Sequence, residues 1–312
     1  MPLGVRGDHF SAECGSSLLK SVVDLEKINN NLFRSQPLWK HKAARGIFGG
    51  HVISQALAAA SQSVPENQHV HSLHSYFLNK VQEDIPVLYH VEKIRDGRTY
   101  CAYSVKAVQS GTLVFTMQAS FKQEETTDTV HQLPFPKVPF PDGLQTMNET
   151  LDRLYEQKRI SETDYSFGTA WYNAFPATAK LVEPDQILQQ KPCYPRRHLW
   201  LKAKADIGEE LHQNVHKCCV VYLSDSFLLQ TALLCLAPIS STSAIFHTSL
   251  DHSVWFHRPC RADQWLLYQV ETDYLGDGRA LCQGRMWDID GNLLVTVAQE
   301  GVMRHEKVVS RL

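Results

Sequence analysis

The sequence lacks most of what would place it outside the ordinary soluble proteins. No window approaches the ~18 consecutive apolar residues a membrane-spanning helix needs, and Met1 to His9 contain no apolar signal core. The expectation is a soluble protein without a membrane span that is not secreted. No charge excess exists either: 31 Lys+Arg against 33 Asp+Glu leave a net charge of −2, which removes the electrostatic case for nucleic acid as a partner. The eight cysteines form no C-x-x-C pair, and the neighbours Cys218 and Cys219 cannot readily bridge each other. Reduced thiols in an intracellular compartment follow. The imidazoles of His69-Val-His71-Ser-Leu-His74 have no carboxylate or thiolate at ligand spacing, so they read as sheet surface or interface and no metal site is expected. A G-x-S-x-G elbow is missing throughout, which removes an α/β-hydrolase serine.

What the chain has instead is an internal repeat. Val87-Leu-Tyr-His-Val-Glu92, Asp96-Gly-Arg98 and Ser110-Gly-Thr-Leu-Val-Phe-Thr116 return as Leu266-Leu-Tyr-Gln-Val-Glu271, Asp277-Gly-Arg279 and Asp290-Gly-Asn-Leu-Leu-Val-Thr296, always 179 to 181 residues later. Strand propensity alone does not hold one offset over three segments, so the halves are duplicated units of one architecture. The reading divides the chain into a first unit over 20–125, a connector over 126–195, a second unit over 196–305 and a tail over 306–312. Residues that differ between the copies become candidates for function.

Each half reads as one helix and several strands. Gly49-Gly50 precedes an alanine-rich helix from His51 to Val64, stopped by Pro65. Strands are expected at 69–78, 87–95, 100–109 and 112–122, and again at 246–257, 264–273, 279–288 and 293–304. A half-buried strand spans His198 to Ala205, and Asp225 to Leu236 reads as the second helix, closed by Pro238. In the connector, Pro134 to Pro141 is extended by composition and Asn148 to Ile160 is one polar helix. An apolar helix with a long antiparallel sheet, twice over, predicts an α+β fold in which each sheet curls around its helix, a double hotdog.

Phe48-Gly-Gly50, Ser224-Asp225, Leu250-Asp-His-Ser-Val-Trp-Phe-His-Arg-Pro259 and Ala298-Gln-Glu-Gly-Val-Met-Arg304 resemble the acyl-CoA thioesterase II family, double-hotdog enzymes with bacterial and peroxisomal members. The resemblance covers about 20 to 305. It implies hydrolysis of fatty acyl-CoA to free acid and CoA-SH without a cofactor, and self-association into a homo-oligomer. The family's catalytic Asp maps onto Asp225, its hydroxyl residue onto Ser249 and its Gln onto Gln299; bacterial members carry threonine at the place of Ser249. Read without the resemblance, Asp225 is an N-cap of the second helix, aligned with Gly50 of the first, and Gln299 is a strand residue facing outward whose counterpart is Ala119.

Three side chains of these kinds suit a water-based reaction. A carboxylate acts as base, and a hydroxyl and an amide orient the water. His252 and His257 are expected to support the strand, and Trp255-Phe256 to be core shared with Tyr76-Phe77. Arg196, Arg197, Lys202, Lys204 and Arg258 read as a solvated face from which CoA phosphates could draw partners. A hotdog enoyl-CoA hydratase would need His five residues after the Asp, where this chain has Gln230. A non-catalytic acyl-CoA carrier remains the alternative from another class. The C-terminal Ser310-Arg311-Leu312 differs from a Ser-Lys-Leu peroxisomal signal by one cation, so a peroxisomal import receptor is an expected partner.

Overall fold

Two helices in this chain are buried on every side, and the sheet must therefore enclose them. The computed structural model describes residues 18–36, 38, 46–236 and 245–305. In chain order, helix α1 (Leu18–Val23) and the hairpin β1 (Leu25–Asn29) and β2 (Leu32–Ser35) precede helix α2 (Gly49–Ser61). Then come β3 (His69–Phe77), β4 (Leu88–Arg95), β5 (Tyr100–Gln109) and β6 (Thr112–Lys122). Helices α3 (Met147–Glu156) and α4 (Glu162–Ala174) lead to β7 (Ala177–Leu181), β8 (Arg196–Ala203) and helix α5 (Gln213–Ser224). A 3-10 segment, Leu229–Cys235, is followed by β9 (Ile245–Ser249), β10 (Asp251–Phe256), β11 (Leu266–Gly276), β12 (Arg279–Trp287) and β13 (Leu293–His305). Every residue of α2 after Gly49, and every residue of α5 after Gln213, is buried.

The strands form one antiparallel sheet in the order β1-β2-β4-β5-β6-β3-β10-β13-β12-β11-β8-β7, with β9 on β13. This order is palindromic with respect to the repeat. The halves join where β3 pairs with β10, Leu73 opposite Val254 and His74 opposite Ser253. Since His74 and Ser253 are also 179 residues apart, a pseudo-twofold axis runs between them, and His74 Nδ1 lies 3.1 Å from Ser253 Oγ. Each half wraps its helix, the double hotdog arrangement. Repeat-equivalent tyrosines tie sheet to helix: Tyr89 donates to Gln55 Oε1 at 3.0 Å, and Tyr268 to the Ser224 carbonyl at 2.6 Å.

α2 and α5 pack against each other in antiparallel sense. Gly50, at the start of α2, meets the Tyr222 carbonyl near the end of α5, and the Ser61 side chain at the other end lies against the Cys218 thiol. The strand expectations hold closely, but the second helix does not. α5 begins before the segment read as helix and ends at Ser224, and Asp225 to Leu236 holds only 3-10 turns. Phe227 at φ 65° breaks the helical path. Pro238 lies outside the described residues. The stretch Gln213–Cys235 is long and apolar enough to cross a bilayer, yet most of it is buried inside the protein.

Strand β7, within the span read as connector, pairs with β8 as β1 pairs with β2 in the first half. The polar helix is shorter than expected and is followed by α4. The proline-rich segment lies against the outer face of the second half. Phe135 and Val138 cover a small core of Trp200, Leu267, Trp287 and Leu293, and Trp200 Nε1 donates to the Pro139 carbonyl at 2.9 Å. Trp200→Ala is expected to lower unfolding free energy by about 3–5 kcal/mol. Denaturant titration measures the loss, and limited proteolysis should then cut within 126–140 first.

Candidate active site

Asp225 is the residue after the last turn of α5, with φ −77° and ψ −14°. The N-cap of α5 is His212, whose Nδ1 accepts the Asn214 N–H at 3.1 Å. Asp225 therefore caps no helix of its own at the N-terminal end. Its carboxylate does cap another: Oδ2 accepts the Gly50 N–H at 2.7 Å, at the start of α2, where Phe48 supplies no side-chain cap. Asp225 and Gly50 are not equivalent positions of two copies, as the sequence alignment suggested. They are partners across the antiparallel helix pair.

The glycines make that approach possible. A Cβ at Gly49 would lie 2.9 Å from Asp225 Oδ2, and one at Gly50 would overlap the Phe48 ring and stand 2.6 Å from the Tyr222 carbonyl. Bare backbone brings the positive end of the α2 dipole to the carboxylate.

Ser249 ends β9 opposite Gly301, and Gln299 sits on β13 opposite Cys282. Gln299 is 1% exposed, against the outward-facing position its strand pattern suggested. Its Nε2 donates to Asp225 Oδ1 at 2.6 Å and to Ser249 Oγ at 3.0 Å, so both amide hydrogens are engaged and one network joins the three residues. Gln299 Oε1 is buried and has no hydrogen-bond partner among the described residues. The Asp225 side chain is 4% exposed. Beside it lies His252, fully buried on β10, with Nδ1 4.0 Å from Asp225 Oδ1 and Nε2 2.9 Å from Ser224 Oγ. Burial pushes the His252 imidazole below its usual pKa, against the smaller upward pull of the Asp225 charge.

The pseudo-twofold axis carries this site to a second location that is filled differently. Val70 pairs with Phe121 as Ser249 pairs with Gly301, so Val70 and Ala119 stand where Ser249 and Gln299 stand. There Asn214 Oδ1 accepts the Val70 N–H at 2.9 Å and Asn214 Nδ2 donates to the Gln68 carbonyl at 3.2 Å. Lys217 Nζ donates to the Val70 carbonyl at 2.8 Å, and burial lowers the pKa of this lysine. At this second location side chains of α5 tie down backbone, where the first gathers a carboxylate, an amide and a hydroxyl.

Other expected residues fall elsewhere. His69 stacks on His212, His71 lies 2.8 Å from Ser120 Oγ, and among the described residues no group of His, Cys, Asp and Glu could hold a metal ion. Tyr76 and Trp255 are 59% and 36% exposed, so they are not shared core, because their register turns them to the outer face; Phe256 is buried. His257 Nε2 lies 2.8 Å from Thr296 Oγ1 on β13, away from Asp225. Arg197 is buried, not solvated, with its pKa lowered by desolvation, while Arg196 pairs with Glu271 and Lys204 donates to the Tyr172 and Asn173 carbonyls. Ser310, Arg311 and Leu312 lie outside the described residues. Sequence reasoning missed Gly50 as a donor to Asp225; the Gly-Gly pair at a helix start was its signal.

Two family models match the chain: the acyl-CoA thioesterase N-terminal domain over residues 36–122 and the acyl-CoA thioesterase C-terminal domain over 151–303. The chain is 41% identical over 308 residues to acyl-coenzyme A thioesterase 8 of Rattus norvegicus, covering 98% of this chain and 94% of that protein. It is 26% identical to peroxisomal acyl-coenzyme A thioester hydrolase 1 of Saccharomyces cerevisiae, covering 93% and 95%. The crystal structure of an acyl-CoA thioesterase II from Mycobacterium marinum superposes with a TM-score of 0.72 at 29% identity, covering 94% of this chain and 99% of that one.

Among the described residues no thiol belongs to the hydrogen-bond network of Asp225, Ser249 and Gln299. Burial pushes the Cys260 thiol up to about 12 and the Cys282 thiol up to about 11, and raises Cys101, Cys218 and Cys219 as well. At pH 8 these groups stay protonated and unreactive. Iodoacetamide is expected to label exposed Cys193 first among the described cysteines. Mass spectrometry reads the labelled sites, and turnover of the labelled protein should stay within about twofold of the untreated enzyme.

Proposed function

Because this chain belongs to the acyl-CoA thioesterase II family, we propose that it hydrolyses fatty acyl-CoA thioesters to free acid and CoA-SH with a water activated by Asp225. The observation that carries this reading is the buried network of Asp225, Ser249 and Gln299 at the bare N-terminus of α2.

A thioester carbonyl has little of the resonance of an amide, so a well-placed water attacks it without a covalent intermediate. Asp225 takes the proton of that water as the new C–O bond forms and the carbonyl electrons move to oxygen. Gln299 spends its amide hydrogens on Asp225 and Ser249, which fixes both acceptors and leaves the Ser249 hydroxyl hydrogen to point at the water or the thioester oxygen. The N-terminus of α2 faces the growing negative charge. Collapse returns the carbonyl, breaks the C–S bond and releases thiolate, which receives the proton held by Asp225. No step calls for a cofactor.

A half-open, largely apolar pocket of about 170 Å³ lined by Leu236, Ile245, Leu275 and Met303, with Arg304 beside them, lies further along the two strands that carry Ser249 and Gln299. Met303 is four residues beyond Gln299, on the order of 13 Å along a strand, which favours medium to long acyl chains. Self-association is supported by the outer sheet face around His74 and Ser253, where Tyr76 and Trp255 are exposed about the pseudo-twofold axis. Peroxisomal location, through an import receptor, is supported by Ser310-Arg311-Leu312 and by the yeast relative whose name carries that compartment.

Steady-state release of CoA thiol from a ladder of acyl-CoAs tests the reaction. Asp225→Ala, Ser249→Ala and Gln299→Ala are each expected to keep the fold and lose about 10²–10⁴-fold in kcat. Near-normal turnover in folded Asp225→Ala overturns the assignment, and binding without release in the wild type makes the protein a carrier. In cells, removal of the last three residues should move a fluorescently tagged chain from punctate organelles to the cytosol.

A further inference from the structure

His252 is buried, titratable and unused by the mechanism above. Its tautomer can be read from its neighbours. Ser224 has one hydroxyl hydrogen and two polar neighbours within reach, the Val221 carbonyl, to which it donates at 2.9 Å, and His252 Nε2 at 2.9 Å. The carbonyl can only accept, so it takes the serine hydrogen, and Ser224 Oγ must accept from His252 Nε2–H. A neutral imidazole carries one hydrogen, and burial keeps this ring neutral. Nδ1 is then a bare lone pair. It has no hydrogen-bond partner among the described residues, and it lies 4.0 Å from the Asp225 carboxylate oxygen.

Two acceptors facing each other in a dry interior repel unless a hydrogen lies between them. At 4.0 Å they are too far apart for a direct bond. A water oxygen about 2.8 Å from each would subtend an angle of roughly 90°, close to the angle between its own two hydrogens, and could give one to each acceptor. The partnerless Gln299 Oε1 belongs to the same network.

We propose that His252 Nδ1 is the second acceptor on the attacking water, so that Asp225 and His252 grip one hydrogen each and leave an oxygen lone pair directed at the thioester carbon. This rests on the water-based reading of Asp225. When the water attacks, the hydrogen on the Asp225 side moves to the carboxylate, and the one on the His252 side stays with the oxygen that becomes the acid product. His252 neither gains nor loses a proton overall. Its part is to orient the reacting oxygen, which makes it a fourth catalytic residue of the same site.

Two substitutions separate this role from a structural one. Gln in place of His252 puts its terminal nitrogen where Nε2 stands, keeping the donor to Ser224 and removing the Nδ1 acceptor. Asn puts its oxygen where Nδ1 stands, keeping the acceptor and dropping the bond to Ser224. His252→Gln should lower kcat about 100-fold with KM nearly unchanged, and His252→Asn no more than about tenfold. Equal losses, or a better His252→Gln enzyme, overturn the proposal, because a structural role depends on the Ser224 bond. Asp225→Ala runs beside them: turnover surviving there breaks the underlying reading, whereas its loss beside a normal His252→Gln enzyme breaks this proposal alone. Should a variant not fold, the wild-type protein decides by nitrogen NMR of its histidine rings. A pyrrole-like Nε2 with a pyridine-like Nδ1 at His252 is the expected state, and a protonated Nδ1 overturns it.

Discussion

The contact on which the rest depends is that of the Asp225 carboxylate with the Gly50 N–H. It joins the C-terminal end of α5 to the N-terminal end of α2, so neither repeat can form it alone. A carboxylate at the end of its own helix is disfavoured by that helix's dipole, and the favourable end of a neighbouring helix offsets it. Burial at 4% exposure then demands that the remaining lone pairs be met, which Gln299 does from β13 in the second half of the sheet. The glycines of α2, the end of α5 and the inward position of Gln299 are consequences of placing one charge at a helix junction.

Duplication supplied two such junctions, and the chain treats them in opposite ways. At the Asp225 end the Gly50 N–H that opens α2 meets a single carboxylate, that of Asp225. At the other end Asn214 and Lys217 reach out from α5 and bond to the backbone of Val70 in β3 and of Gln68 just before it. A buried lysine is costly unless its hydrogen bonds are strong, and a carbonyl acceptor beside the Phe256 ring, 5.3 Å from Nζ, gives it both a hydrogen bond and a cation–π contact. This end behaves as a fastening between the halves.

The strands were legible because the two faces of the sheet meet different surroundings. In β5, alternate residues from Cys101 to Gln109 are buried against α2, and the sequence alternates with them. α5 was less legible. Its run from Val215 to Leu223 contains His216 and Lys217, whose polarity hides that both are buried, and the more uniformly apolar stretch after Asp225 drew the helix to itself. Nothing in the local sequence announces that Phe227 turns left-handed. The role proposed for Asp225 comes from the family resemblance alone, and by its own pattern the residue read as a cap. That reading had the right chemistry and the wrong helix, because contacts 175 residues apart leave no local trace. His252 stood in a recognised block, but its bare nitrogen appears only once Ser224 and Val221 are in place around it.

The asymmetry between the junctions also explains why the idle one is hard to convert. Val70→Ser and Ala119→Gln together would restore a hydroxyl and an amide in the register that Ser249 and Gln299 occupy. They would not restore a base, since the end of α2 offers Ser61 and Gln62, with no carboxylate there. Nor would they restore a donor for such a base, because Asn214 spends its side chain on β3 and Lys217 fills the space behind it. Removing Lys217 would strand the Val70 carbonyl in a dry interior, at a cost of roughly 1–3 kcal/mol. A second site thus requires changes at both helix ends and on both strands together. Each change made singly lowers stability and adds no chemistry, so one surviving site is the stable outcome of the duplication.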